Sequence, residues 1–309
     1  ADLSLLDAIP ELIHATETVF SSVLVATRDK GPNLEAIRRA AEIVRQVART
    51  TALGFGNLRL AAMANVGPHS PFFPAAYHDG GSPAVGIATE SADLAVSAFS
   101  EAASGPGTLE RGRSRLIEAV EDAAGRIAGL IAPLSERYNT RFAGIDFSLA
   151  PFPEEARSIG AAVERMGVDR FGAPGTLFAV AQLTDCLRRA RYPRCGFNGV
   201  MLPVLEDATL AARSREEMFT VDDLLLYSAV CGTGLDTVPL PGDASDAELA
   251  GILLDMATLA VRLDKPLTAR LMPVPGARAG DITQFDFDYF ANGRVLDLKG
   301  WGSRGVFAR

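Results

Sequence analysis

Strand-like apolar runs alternate with helical periodicities along most of the chain, and this alternation constrains the fold more than any other feature of the sequence. Residues 21–26 (SSVLVA) form a β-branched run typical of a buried strand. Residues 34–50 then place Ile37 and Val44 on one face of a predicted helix. Further strands are predicted at 58–66, 84–88, 142–149, 197–204 and 267–274, and further helices at 4–16, 91–103, 108–137, 153–166, 176–191, 220–231 and 245–260. Because hairpin signals are few, the pattern predicts an α/β fold with a mainly parallel sheet, open or closed into a barrel.

The length and composition are compatible with a large buried core. The chain has 309 residues, of which 48% are hydrophobic, and this length allows one large domain or two ordinary ones. Its glycines and prolines are spread along the chain, so no segment has the composition of a long linker. We therefore expect residues 1–309 to form a single α/β domain.

Charge and cysteine content limit the partners that we expect. The net charge of −8 opposes binding to a phosphate backbone, and no apolar run approaches the ~20 residues that cross a bilayer. Three cysteines without a C-x-x-C pair indicate neither a disulfide framework nor a zinc site of thiolates. We expect a cytoplasmic protein whose partner is a small molecule rather than nucleic acid or membrane, and homo-oligomer formation stays open.

Residues 229–243 (AVCGTGLDTVPLPGD) place a thiol among glycines. Gly232 and Gly234 would allow positive φ or the close approach of a ligand next to Cys231. A thiol at the end of a predicted helix can have an altered reactivity, or it can be a small buried hydrophobic group. Both interpretations of Cys231 stay open at this point.

Two carboxylates follow Cys231 in the same segment. Asp243 comes shortly before Ser245, the first residue of the capping pattern Ser245-x-x-Glu248, so Asp243 is expected to serve as a helix cap. Asp236 has no such helix to cap. It is therefore the better candidate for binding a ligand or orienting a base.

A proline-rich loop carries two histidines, His69 and His78, and Glu90 follows at a predicted strand-to-helix junction. Imidazole and carboxylate groups suit acid–base chemistry or metal binding. Their spacing is not the i, i+4 pattern of a helical metal site. The alternative is that each histidine only forms hydrogen bonds with its neighbours.

The turn at residues 172–176 (GAPGT) precedes a predicted helix and contains Gly175 and Thr176. Its N–H groups could bind a phosphate or carboxylate. The turn matches neither of the common glycine-rich phosphate motifs, so an ordinary strand-to-helix turn explains it equally well.

Several motifs in one order resemble the DUF711, or UPF0210, proteins, a family of uncharacterised function, across nearly the whole chain. The motifs are Pro71-Phe-Phe-Pro-Ala-Ala-Tyr-His78, Gly144-Ile-Asp-Phe-Ser-Leu-Ala-Pro151, Gly172-Ala-Pro-Gly-Thr176, Cys231-Gly-Thr-Gly-Leu-Asp236, Pro239-Leu-Pro-Gly-Asp243 and Arg270-Leu-Met-Pro-Val-Pro-Gly276. Because many relatives are longer, the chain looks like a short-chain member.

The resemblance implies a barrel related to the pyruvate formate-lyase-like fold, with mainly parallel strands surrounded by helices. Glycyl radical enzymes of that fold carry a reactive cysteine on a central loop, which would place Cys231 at the barrel centre. The radical-site pattern Arg-Val-x-Gly is absent, because Asp297 stands where the glycine would follow Arg294 and Val295. The resemblance therefore implies the architecture without glycyl radical chemistry.

The leading hypothesis is an enzyme acting on a small polar or anionic metabolite. Cys231 would act as nucleophile or acid–base thiol, with His78 or His69 as its proton partner and Asp236 orienting the histidine or the substrate. The expected substrate-binding residues are Gly232, Thr233, Gly234, Gly175 and Thr176. One alternative is a metal-assisted hydrolase or lyase with His78, Glu90 and Asp236 as ligands, and another is a non-catalytic metabolite-binding or regulatory protein. The sequence identifies no cofactor.

Overall fold

The computed structural model of the chain describes residues 3–68, 70–78, 80–102, 107–300 and 302–307, in which helices and strands alternate. The α-helices are α1 (Ile9–Ala15), α2 (Leu34–Thr50), α3 (Ala92–Glu101), α4 (Thr108–Arg137), α5 (Ile159–Arg165), α6 (Thr176–Arg189), α7 (Ala208–Arg215), α8 (Val221–Ser228), α9 (Asp246–Arg262) and α10 (Arg304–Phe307). The strands are β1 (Ser21–Thr27), β2 (Gly31–Pro32), β3 (Leu60–Ala64), β4 (Ala84–Ala88), β5 (Arg141–Asp146), β6 (Gly234–Pro241) and β7 (Leu267–Val274). Short 3-10 helices occupy Leu3–Ala8, Ala52–Arg59 and Glu155–Arg157.

A five-stranded mixed sheet has the strand order β2-β1-β3-β7-β6. The pairs β1–β3 and β6–β7 are parallel, whereas β1–β2 and β3–β7 are antiparallel. Strand β7 thus joins the two parallel pairs, although it comes after all the other strands in the chain.

A second sheet is formed by the parallel strands β4 and β5. Residues 194–204 connect it to the larger sheet through isolated parallel bridges between Ile145 and Arg194, between Leu149 and Val200, and between Pro203 and Asp236 of β6. The strands therefore follow a curled half-barrel with helices around it. The predicted α/β class is confirmed.

The two faces of the large sheet differ in what covers them, because side chains alternate along each strand. In β7, Leu267, Ala269 and Leu271 join the main core, to which α2 and α9 also contribute, whereas Met272 belongs to a separate apolar cluster with Phe285. Arg270 precedes Met272 by two residues, so its side chain lies on the same face, the second and concave face of the sheet.

Residues 70–77 cover part of the concave face. Ala75 packs with Met63 of β3, Ser22 of β1 donates a hydrogen bond to the Pro74 carbonyl at 2.9 Å, and Phe73 lies against Arg270. The loop therefore fills part of the space inside the half-barrel.

Helix starts agree with the capping patterns of the sequence. Asn33 accepts a hydrogen bond from the Ala36 N–H, and reciprocal capping boxes join Thr220 to Asp223 and Ser245 to Glu248. Asp243 does not cap the helix as expected, because Ser245 occupies the N-cap position and Asp243 is exposed.

Some predicted boundaries are wrong for identifiable reasons. The predicted strand 197–204 makes only isolated bridges, since Pro203 lacks an N–H and Gly199 crosses another backbone closely. The predicted helix 153–166 is divided, because the Ser158 side chain caps a new helix by accepting from the Ala161 N–H. Helix α8 ends at Ser228, before Cys231. The start of the predicted helix 4–16 is instead a 3-10 helix, and the α-helix begins only at Ile9, with Pro10 in its first turn.

Among the described residues, no helix combines the length and the apolar composition that crossing a bilayer requires.

Candidate functional site

Cys231 lies in the bend between α8 and β6, and its side chain is only 1% exposed. Its backbone N–H donates to the Tyr227 carbonyl at 2.9 Å, which extends the end of α8. Its Sγ accepts a hydrogen bond from the Gly234 N–H at 3.2 Å. The bend thus holds the sulfur in a fixed position with a backbone donor directed at it.

The glycines around Cys231 are required by backbone packing. A Cβ on Gly232 would lie 2.8 Å from the Gly199 backbone, and the Gly232 N–H donates to the Val200 carbonyl at 2.6 Å. Gly234 has a φ of +108°, and a Cβ there would lie 2.4 Å from the Thr268 carbonyl oxygen. The N–H groups of both predicted binding glycines are directed at acceptors within the protein.

Thr233, another predicted binding residue, is fully buried. Its carbonyl accepts from the Thr268 N–H at 2.6 Å and from the Thr268 hydroxyl at 3.0 Å. Its own Oγ1 has no hydrogen-bond partner in the structure. Thr233 therefore connects the Cys231 bend to the start of β7.

A cavity of about 360 Å³ lies beside Cys231 and Gly232. This volume is in the range of small-molecule sites. Arg188 of α6 and Lys265, which precedes β7, contribute two cationic groups, and Asn198 contributes an amide. The cavity thus combines a thiol with positive charge and hydrogen-bonding groups.

Lys265 is the titratable group next to the thiol. Its Nζ donates to the Ser228 carbonyl, at the end of α8, at 2.7 Å. Burial lowers the pKa of Lys265, and the charge of Arg188 lowers it further, while Cys231 acts in the opposite direction. A lysine with a lowered pKa can exchange a proton more readily near neutral pH.

Asp236 belongs to a different polar cluster on the concave face. Its Oδ1 accepts from the Arg270 Nε, and the Arg270 Nη2 lies 2.9 Å from Glu206 Oε1. The side chains of Asp236, Arg270 and Glu206 are 0%, 8% and 24% exposed, respectively. Asp236 Oδ2 is buried and has no hydrogen-bond partner in the part of the chain that the structure describes.

Glu206 titrates differently from an ordinary glutamate. Burial raises the pKa of Glu206 to about 7, against the lowering effect of Arg270 and with a further raising effect of Asp236 and Glu90. Glu206 is also a residue that we do not predict from the sequence. The signal for this cluster was Arg270, a charged residue in the middle of a mostly apolar strand sequence.

The predicted proton partners of Cys231 lie elsewhere or outside the described residues. His78 is exposed, and its Nδ1 accepts from the Gly80 N–H at 3.0 Å. His69 lies outside the described residues. Among the described residues, His78 does not line the Cys231 cavity, whose acidic and basic side chains are Arg188, Asp264 and Lys265. Asp264 pairs with Arg28, which leaves Lys265 as the candidate proton partner of the thiol.

The residues of the predicted metal site have separate surroundings. Glu90 pairs with Arg157 at 3.1 Å, whereas Asp236 pairs with Arg270. The negative charges of both carboxylates raise the pKa of Glu206, and His78 has no such effect on it. Across the described residues, no three His, Cys, Asp or Glu side chains are grouped so as to hold a metal ion.

Gly175 and Thr176 are not brought together with Cys231. Thr176 begins α6, whereas Thr184 and Arg188, further along the same helix, line the Cys231 cavity. At ~1.5 Å per residue, Thr176 lies about 12 Å from Thr184 along the helix axis. The Thr176 hydroxyl accepts from the Gly172 N–H at 3.0 Å and donates to the Ala173 carbonyl at 2.8 Å, so it closes its own turn.

Comparison with known proteins gives one consistent family. The model of the family described as "Uncharacterised ACR (DUF711)" matches residues 1–288. A UPF0210 protein of Pyrobaculum arsenaticum is 38% identical over 90% of this chain and 62% of its own length. UPF0210 proteins of Methanopyrus kandleri and Acetivibrio thermocellus are 34% and 30% identical, over 91% and 100% of this chain and 63% and 69% of their own lengths. The chain thus spans less than two thirds of the length of several relatives that it matches.

Proposed function

This chain belongs to the DUF711, or UPF0210, family, and we propose that it is an enzyme that acts on a small anionic metabolite bound beside the Cys231 thiol. The observation that carries the proposal is the cavity that Cys231 shares with Arg188 and Lys265. Arg188, and Lys265 once it has accepted the thiol proton, favour an anionic ligand in this partly enclosed space, because desolvation strengthens their attraction for negative charge. The acidic residue of the cavity, Asp264, is paired with Arg28.

Lys265 replaces the histidines as the proton partner of the thiol in this proposal. In its neutral form Lys265 can accept the Cys231 proton, and a lowered pKa increases the fraction of that form. The Gly234 N–H would then stabilise negative charge on the sulfur. Cys231 would act on the ligand as a nucleophile or as an acid–base group.

One observation favours a second candidate, a non-catalytic metabolite-binding protein. The Cys231 side chain is only 1% exposed, so a bound ligand would contact it over a small surface. Such a protein needs the charges of Arg188 and Lys265 but not the thiol. The two candidates therefore predict different effects of removing the sulfur.

The fold also supports a relationship to the pyruvate formate-lyase-like barrels, which we include in the proposal. The support is the curled half-barrel of β-structure with surrounding helices and a cysteine in the bend that enters β6. An experimental structure of a full-length relative tests it: a closed barrel of mainly parallel strands would support the relationship, and an open sheet would contradict it.

The three cysteines are unpaired, which supports a cytoplasmic location.

The direct test removes the thiol while keeping the cavity. We expect Cys231→Ala to abolish turnover of any metabolite that the wild-type protein converts, because no other thiol lines the cavity among the described residues. Small carboxylates and phosphates would be screened by thermal shift, and the stabilising ligands would be followed for chemical change by NMR. Cys195→Ala is the matched control, since its thiol lies outside this cavity.

Arg188→Met separates binding from chemistry in the same assay, because Arg188 takes no part in the proposed proton transfer. Loss of one cationic group should weaken binding of an anionic ligand by about tenfold, equivalent to ~1.4 kcal/mol. Full turnover by Cys231→Ala would contradict the thiol mechanism. Tight ligands that stay chemically unchanged with the wild-type protein would favour the non-catalytic candidate.

A further inference from the structure

The buried cluster of Asp236, Arg270 and Glu206 takes no part in the chemistry proposed for Cys231. We propose that this cluster is a second ligand site, which binds the ammonium group of a small amine. The inference rests on the contacts of these three side chains and is independent of the function proposed above.

The unpartnered oxygen of Asp236 points to a ligand. Asp236 is fully buried, and Arg270 satisfies only its Oδ1, so among the described residues Oδ2 is an acceptor without a donor. Buried polar atoms are nearly always hydrogen-bonded, because a buried atom without a partner has lost its hydrogen bonds to water and gained none in return. An ionised carboxylate only accepts hydrogen bonds, so the group that completes this site must be a donor.

The charges of the cluster select a cationic donor. When Glu206 is ionised, two carboxylates face a single guanidinium, which leaves one negative charge in excess. An ammonium group carries one positive charge and three N–H donors, so it neutralises the cluster and can bond Asp236 Oδ2. A divalent metal fits less well, since the described residues contain no group of three His, Cys, Asp or Glu ligands and the Arg270 guanidinium would repel it.

The side chain of Glu206 gives access to the cluster. The Glu206 side chain keeps 24% of its surface exposed, whereas that of Asp236 is fully buried. On the other side, the centre of the Phe73 ring lies 5.6 Å from the Arg270 guanidinium carbon. Residues 70–77 therefore cover the cluster on the side of Phe73. A small amine would enter past Glu206 and place its nitrogen near both carboxylates.

Glu206 makes this site sensitive to pH. The charged groups that act on it are Arg270 of β7, Asp236 of β6 and Glu90, and Glu90 is itself paired with Arg157. Because burial raises the pKa of Glu206 to about 7, the carboxyl is partly protonated at neutral pH. An ammonium group should bind more tightly as pH rises through this value, and its binding should release a proton.

Isothermal titration calorimetry with methylammonium chloride tests the site in the whole chain. We expect the wild-type protein to bind methylammonium and to release protons near pH 7, which titration in buffers of different ionisation enthalpy measures. Tetramethylammonium chloride is the matched probe, since it has the same charge but no N–H donor. Asp236→Asn should weaken methylammonium binding by at least about tenfold, and Cys231→Ala should leave it unchanged.

Glu206→Gln is the second variant, and it keeps the test decisive if Asp236→Asn does not fold. It should lose both proton release and most of the affinity above neutral pH, because the excess negative charge is gone. The inference is overturned if wild-type protein binds no methylammonium even at about 100 mM. It is equally overturned if tetramethylammonium binds as tightly as methylammonium, or if a divalent metal binds and methylammonium does not. Wild-type affinity for methylammonium in the folded variants would overturn it too.

Discussion

Arg270 shows how far single residues of the site follow from the sequence. Cys231 and Asp236 stand out locally, because a thiol, glycines and a carboxylate occur within a few residues. Arg270 is conspicuous only as a charge among the buried residues of β7. Glu206 and Lys265 have no local signal at all. Their roles depend on which segments lie side by side, and strand register is not contained in local periodicity.

The pH dependence of stability provides a test at the level of one residue. Between the ordinary glutamate pKa of 4.5 and about 7, the folded protein retains a proton on Glu206 that the unfolded chain releases. The contribution of Glu206 to the free energy of unfolding is therefore fully present below about pH 4.5, and it is lost as pH rises to about 7.

We expect Glu206→Gln to remove this decrease, so that its free energy of unfolding varies less with pH than that of the wild type across the same window. Urea denaturation at several pH values measures the difference. Glu154→Gln, at an exposed position, is the control and should follow the wild-type curve. Identical pH profiles for wild type and Glu206→Gln would show that Glu206 is not protonated in the folded protein.

At the scale of elements, predictions succeeded where periodicity and caps coincide. Helix α2 has the predicted bounds, α9 begins at its predicted capping pattern, and β7 also has the predicted bounds. Strand β6 was missed, because Pro239 and Pro241 are typical of turns. The structure accommodates them because β6 is the edge strand of the large sheet, where a missing N–H costs little. Helix α7 has a weakly periodic sequence and depends on its cap, Asp207.

Asp207 holds two helix starts together. Its carboxylate accepts from the Thr209 and Leu210 N–H groups of α7 at 2.9 and 2.8 Å, and from the Ile159 N–H of α5 at 2.6 Å. It also accepts from the Ser158 hydroxyl at 2.7 Å. One buried carboxylate thus caps α7 directly and also supports the start of α5, where Ser158 is the N-cap.

We expect Asp207→Ala to lower the free energy of unfolding by about 2–4 kcal/mol, since each lost cap costs roughly 1–2 kcal/mol. Chemical denaturation monitored by circular dichroism measures this change. Asp243→Ala, at an exposed aspartate that caps no helix, should differ from wild type by less than about 0.5 kcal/mol. A loss below about 1 kcal/mol for Asp207→Ala would show that the two helices do not depend on this carboxylate.

At the scale of the whole molecule, the two sheets share one hydrophobic core. The main cluster of buried residues contains Val47 of α2, beside the large sheet, and Phe99 of α3, which packs on α4, the helix next to β5. Because this one cluster extends to both sheets, we expect the described residues to unfold as one unit, and the single domain stays a prediction.

Calorimetry on one variant from each side tests this expectation. Val47→Ala and Phe99→Leu should both lower the midpoint of the same single transition, because each removes apolar contacts from the shared core. An exposed substitution such as Glu154→Gln should leave the midpoint unchanged. If one variant shifted an early transition and left a later one in place, the chain would contain two independently folding units.

The position of β7 within the large sheet has a consequence for synthesis in the cell. This strand pairs with β3 on one side and β6 on the other, yet it follows both in the chain. Until residues 267–274 have left the ribosome, β3 and β6 expose unpaired edges, and Asp236 and Glu206 have no counterion. The nascent chain must therefore stay protected from aggregation through most of translation, and completion of β7 closes the sheet and brings the Arg270 guanidinium to the two carboxylates in a single step.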